Sequence, residues 1–203
     1  MTVCTRCQSG TETDPQRRRL LFATSAAAAA AGVVAAVPFV ATFSPSERAR
    51  ASGAPVEVDI SKLAAGEMMT VEWRGKPVWI IKRTPEMLAS LKKVEAKLVD
   101  PQSQVPQQPG YATNGHRSIR PEVFVAVGIC THLGCSPTEK FQAGAVQGMD
   151  PAWDGGFFCP CHGSQFDLAG RVLKNMPAPT NLEIPPHQYL AETRLLIGKH
   201  NPA

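Results

Sequence analysis

Two six-residue stretches constrain this 203-residue chain more than anything else in it: Cys130-Thr131-His132-Leu133-Gly134-Cys135 and Cys159-Pro160-Cys161-His162-Gly163-Ser164. Each holds a Cys and a His at metal-ligand spacing, Cys-x-His in the first and Cys-x-x-His in the second. A fold carrying them has to bring loops 130–135 and 159–164 together so that two sulfurs and two imidazoles converge. A structural zinc ion is one use for four such ligands. Zinc sequences usually group like with like, a Cys pair followed by a His pair. Here each loop offers one sulfur and one nitrogen, a division suited to a two-iron cluster with sulfurs on one iron and nitrogens on the other.

In these residues the chain resembles the Rieske iron–sulfur subunits of quinol–cytochrome c reductases, the cytochrome bc complexes of respiratory membranes. In a Rieske centre His replaces Cys on one iron, which raises the reduction potential. The likeness runs from the N-terminal apolar segment to Met176-Pro177-Ala178-Pro179. It implies one [2Fe-2S] cluster per subunit, with Cys130 and Cys159 on the inner iron and His132 and His162 on the outer. It implies a disulfide between Cys135 and Cys161, and a hydrogen bond from the Ser164 hydroxyl to a bridging sulfide. Leu133, Gly134 and Gly163 would approach or shield the cluster, and the segment around Pro177 would cover its third side. The implied work is one-electron transfer from quinol to a c-type cytochrome, with a proton passing through His162; His132 has like chemistry and is the alternative. The implied partners are a cytochrome b subunit holding quinol and a c-type cytochrome subunit, in a dimeric complex.

One position departs from the family pattern. The second residue after the Ser of the second box is often Tyr, whose hydroxyl bonds a ligand sulfur; here it is Phe166, which has nothing to donate. The missing donor implies a lower reduction potential. Competing functions remain at this stage. A soluble Rieske ferredoxin or a ring-hydroxylating oxygenase would share the four ligands but generally lacks the extra Cys pair and the anchor. The exported small subunit of an arsenite oxidase-like enzyme is nearer. A membrane-tethered zinc module is the non-enzymatic alternative.

Residues 20–43 carry no charge over 24 positions. A helix of that length rises about 36 Å, enough to cross a hydrocarbon core of roughly 30 Å with some tilt. Arg17, Arg18 and Arg19 stand directly before it and place the N-terminus on the cytoplasmic side. Gln16-Arg17-Arg18-Arg19-Leu20-Leu21 also resembles a twin-arginine export signal, which is read as an address. That route suits a domain exported with its metal already in place. Ala49-Arg50-Ala51 has the small residues of a cleavage site, but the resemblance favours an uncleaved anchor. The expected organisation is therefore a cytoplasmic tail (1–19), a transmembrane helix (20–43), a flexible neck rich in Ser, Ala, Pro and Gly (44–55), and a head domain (56–203) in the periplasm of a bacterial inner membrane. The disulfide fits that oxidising side. The net charge of +4 is modest and comes largely from short local runs, so nucleic acid is not an expected partner. Cys4 and Cys7 form a lone Cys-x-x-Cys near the N-terminus and receive no role.

The head reads as mainly β, an antiparallel Rieske-type β-sandwich with one short helix. Strands are expected at 56–60, 69–73 and 78–81. Thr84, Pro85 and Glu86 open a helix in which Leu88, Leu91, Val94 and Leu98 recur at helical spacing until Pro101 stops it. Residues 101–111 read as an irregular surface loop. Residues 122–128 read as an alternating strand feeding the first box, 156–158 feeds the second, and 188–197 closes the sheet. His116, His187 and His200 lack ligand-spaced neighbours and read as surface or structural residues; Trp73, Trp79 and Trp153 read as packing.

Overall fold

The computed structural model describes residues 14–46, 53–146 and 148–200. Cys4, Cys7 and the Ala49-Arg50-Ala51 site lie outside these residues, as does half of the expected neck. The chain divides into two compact units, residues 1–49 and residues 50–203.

The first unit is one helix, α1 (Pro15–Thr42). Asp14 caps it, its Oδ1 accepting from the Gln16 N–H at 2.9 Å, and Pro15 supplies the fixed φ favoured in a first turn. The helix thus starts within the stretch read as a tail and runs through the three arginines. None of its residues is buried, and Leu20, Phe22, Val34, Phe39 and Val40 are each about two-thirds exposed. A helix apolar all round with no face covered by protein is suited to lipid.

Among its described residues the second unit holds nine strands in three antiparallel sheets of three. They are β1 (Val56–Asp59), β2 (Met68–Trp73), β3 (Lys76–Lys82), β4 (Val123–Val127), β5 (Thr138–Lys140), β6 (Gly156–Phe158), β7 (Gln165–Asp167), β8 (His187–Ala191) and β9 (Arg194–Ile197). The sheet orders are β1-β9-β8, β2-β3-β4 and β5-β6-β7. The middle sheet, β2-β3-β4, is apolar on both faces. Val78, Ile80, Val123 and Val125 point into a core shared with Val58, Ile60, Leu195 and Ile197 of the first sheet. Trp79, Ile81, Phe124 and Ala126, one position along, point into a second core with Phe157 and Phe166 of the third sheet. Period-two alternation along β3 and β4 therefore divides residues between two cores.

This corrects the reading of 122–128 as an alternating strand. All five residues of β4 are buried, which is the pattern of a strand covered on both sides. The run at 188–197 is two strands, β8 and β9, joined at Glu192-Thr193. The helix expected from Thr84 forms as α2 (Pro85–Lys93), with Thr84 Oγ1 accepting from Met87 N–H at 3.3 Å. It ends earlier than the apolar spacing implies. The chain leaves at Val94 for a short 3₁₀ turn (Glu95–Lys97), and Leu98 is extended, bridged to Leu173. Lys174 holds that exit, its N–H on the Lys97 carbonyl and its Nζ on the Ala96 carbonyl. Residues 101–111 run over the surface as expected, exposed or partly so except Ser103, which is 1% exposed. Trp73, Trp79 and Trp153 are all buried, in line with packing roles.

Candidate metal centre

β4 and β6 each run into one of the two boxes, and the boxes fold into the same turn. In the first, Cys130 N–H donates to the Cys135 carbonyl at 2.8 Å and Gly134 N–H to the Cys130 carbonyl at 3.1 Å. In the second, Cys159 N–H donates to the Ser164 carbonyl at 2.8 Å and Gly163 N–H to the Cys159 carbonyl at 2.9 Å. The fifth residue of each turn is a glycine at positive φ, +85° at Gly134 and +78° at Gly163. Side chains there would be strained, whereas glycine adopts the conformation freely.

These matched turns bring the expected residues together. Cys130 and Cys159 are free thiols, each 2% exposed, at the top of the core that contains Phe157 and Phe166. The rings of His132 and His162 meet edge to face with centroids 4.7 Å apart, and His162 is exposed. Cys135 and Cys161 form the disulfide that the resemblance implied, joining the two loops across a separation of 26 residues. The sulfurs of Cys135, Cys159 and Cys161 lie within 4.8 Å of one another. Sulfur already in a disulfide is not a thiolate donor, so the donor set left is two thiols and two imidazoles. Burial pushes the Cys130 thiol up, and its neighbour Cys159 adds to the effect. A thiol buried in this way becomes a thiolate donor when a cation is there to receive it. Two thiols and two imidazoles on adjoining turns fit a two-iron group of mixed sulfur and nitrogen ligation.

A third segment closes the site. Ser164, fully buried, accepts the Ala178 N–H on its Oγ at 3.0 Å. That bond uses an oxygen lone pair and leaves the hydroxyl proton free to be donated elsewhere. Thr131 Oγ1 donates to the Thr180 carbonyl at 2.7 Å. The segment around Pro177 is thus bonded to both boxes. The covering segment was expected, but the bonds of Thr131 and Ala178 that fasten it were not, because one works through a hydroxyl and the other through a backbone N–H. At the outer end Leu133 is 71% exposed, among the exposed Gly134, Pro160, Pro177 and Pro179. His116, His187 and His200 are not part of this constellation. His187 is buried and structural, its N–H donating to Tyr111 Oη at 2.7 Å.

Residues 55–186 match the model of the Rieske [2Fe-2S] domain. The chain belongs to the Rieske iron–sulfur family. Residues 7–46 match a second model, described as the ubiquitinol–cytochrome c reductase Fe-S subunit TAT signal. Among known Rieske proteins, the ubiquinol–cytochrome c reductase iron–sulfur subunit of Allochromatium vinosum is 62% identical over 165 residues, covering 81% of this chain and 79% of that protein. The subunit of the same name from Bradyrhizobium diazoefficiens is 44% identical over 168 residues, covering 82% and 85%. That of Blastochloris viridis is 41% identical over 169 residues, covering 81% and 83%. The cofactor of this Rieske protein is a [2Fe-2S] cluster, and the zinc and arsenite oxidase-like alternatives are set aside.

Proposed function

We propose that this Rieske protein is the electron-carrying subunit of a quinol–cytochrome c reductase, working between a cytochrome b subunit that presents quinol and a c-type cytochrome subunit. One observation carries the reading: two facing imidazoles, one of them exposed, stand over two buried free thiols between loops locked by a disulfide. Cys130, Cys159, His132 and His162 would hold the cluster, which when bound supplies a one-electron acceptor whose potential His ligation raises.

The protein's own groups account for the rest. The buried thiols exclude water from the inner side, where the fully buried Ser164 hydroxyl accepts the Ala178 N–H and keeps its own proton to donate. His162 projects at the surface, where its outward ring nitrogen can accept a hydrogen bond from a quinol hydroxyl. The hydroxyl proton would be held at that nitrogen, and the electron leaving quinol with it would be taken up by the cluster when bound. Leu133, Pro160 and Pro177 form an apolar rim suited to entering the quinol pocket of a membrane-embedded partner. Quinol gives up two electrons and the subunit takes one, so the reaction requires the rest of the complex.

The same proposal covers topology: residues 1–19 in the cytoplasm, 20–43 across the inner membrane as an uncleaved anchor, 44–55 as neck, and 56–203 in the periplasm of a dimeric complex. The match to a TAT-signal model and the helix with no buried residue support it. Low-temperature EPR of reduced membranes, with and without a quinol-site inhibitor, tests the reading. A Rieske-type signal that changes with inhibitor and disappears in His162→Ala is expected. Purified protein lacking iron and acid-labile sulfide would overturn it.

A further inference from the structure

Behind the third sheet lies a polar network that neither the cluster ligands nor the proton path uses. Arg83, Arg117 and Arg171 are buried, at 2%, 0% and 2% exposure, with Asp167 at 1% and Asp100 at 9%. Three buried guanidiniums thus face two buried carboxylates, an excess of one positive charge. Of the three, Arg171 alone is ion-paired with a described residue, its NH2 lying 2.7 Å from Asp167 Oδ2. Arg83 bonds to neutral groups, the carbonyls of His116, Pro121 and Leu168 and the Ser118 hydroxyl. Arg117 does likewise, on the carbonyls of Ala169, Gly170 and Leu182 and the Gln108 side chain. Other acidic groups near these arginines, such as Glu122, are exposed and screened by solvent.

The medium between this network and the metal centre is apolar. Arg83 lies over the Phe124 ring at 5.2 Å, and the Leu182 carbonyl accepts from Arg117. Phe124 and Leu182 belong, with Phe166 and Val172, to the same continuous apolar cluster as Cys130 and Cys159. A fixed charge acts across such a layer with little screening. We propose that the buried arginines, Arg117 above all, are tuning residues whose uncompensated positive charge raises the reduction potential of the cluster. Reduction adds a negative charge, and a fixed positive field favours that state.

This inference rests on the cluster being held as proposed above. Its test is a redox titration of the full-length, cluster-loaded protein at fixed pH, following the EPR or visible circular dichroism signal. Arg117→Gln removes the charge and should lower the reduction equilibrium constant about threefold, roughly 28 mV at 59 mV per tenfold for one electron. Arg117→Lys keeps the charge while disturbing the same hydrogen bonds, and should stay nearer the parent potential. Asp100→Asn removes a buried negative charge, retains one acceptor for the Gln104 or Val105 N–H, and should shift the potential upward. Equal shifts in the Gln and Lys variants, or no rise in Asp100→Asn, overturn the proposal. If the Arg117 variants do not fold, Asp100→Asn decides it alone. A parent protein with no cluster signal refutes the metal-centre reading instead.

Discussion

Gly134 and Gly163 hold equivalent places in two turns built alike, and a Cβ at either would meet no atom within 4 Å. What glycine provides there is conformation, not space. Gly134→Ala should therefore cost about 1–2 kcal/mol through its left-handed backbone alone, measured by chemical denaturation of the detergent-solubilised protein. Ser164→Ala has a different cost. It strands the Ala178 N–H, which donates to the Ser164 hydroxyl at the buried floor of the site. A loss of about 1–3 kcal/mol is expected, together with a lower potential. Phe166→Tyr should act in the other direction on the potential. A hydroxyl donating to a ligand sulfur is worth about 1 kcal/mol, on the order of 40 mV for one electron. Redox titration showing no upward shift, with cluster content intact, would remove that account of Phe166. At this scale the candidate donors stand out in the sequence because metal chemistry demands particular residue types at fixed spacing, and the fold brings Cys130, His132, Cys159 and His162 onto two adjoining turns. The buried arginines were not. Their partners are mostly backbone carbonyls far along the chain, such as Leu168 for Arg83, and nothing near Arg83 in sequence marks it as interior.

Among the elements, those with long patterns were read well. β2 and β3 pair in register from Met68 with Ile81 to Trp73 with Lys76, around the turn at Arg74-Gly75. β5 and β7 are three residues each, too short to display a period, and they exist because β6 lies between them to pair with both. β4 was located but its burial was misread, since a strand between two cores has no polar face to reveal. The helix after Thr84 was overextended because Leu98 keeps the apolar rhythm while belonging to a bridge with Leu173. The disulfide is the element-scale feature with the largest expected effect. Joining Cys135 to Cys161 closes a separation of 26 residues. By the loop-closure estimate this contributes about 3–4 kcal/mol. Cys135→Ser should lower stability by that order and loosen both turns, so that the EPR signal weakens or the potential falls. An unchanged spectrum and potential would show that the loops hold without it.

At the scale of the whole head, the described residues form two large apolar cores against the sheets and a small one beneath α2, and the two Cys-His boxes stand on one of the large cores. The first sheet is joined to the metal-bearing side partly through His187 at the start of β8. Its Nδ1 lies 2.8 Å from the Pro185 carbonyl, which can only accept, so Nδ1 carries the proton. The ring stacks edge to face on Tyr111, whose neighbour Ala112 lies in the core containing Cys130 and Cys159. Burial holds the His187 imidazole below its ordinary value of 6.5, outweighing the hydrogen bond to Pro185. Below that ordinary value the unfolded chain binds this proton more readily than the folded one, so the sign is fixed. The stabilisation is fully present above about pH 7 and is lost as pH falls through the ordinary value toward the depressed one. Full-length protein should accordingly lose stability between about pH 7 and pH 5. In His187→Gln, which keeps a donor for the Pro185 carbonyl without a titrating ring, the slope over that range should flatten. Denaturation midpoints measured at half-unit pH steps separate the two proteins. If they fall in parallel, another group drives the acid sensitivity and the role assigned to His187 in joining the layers is wrong.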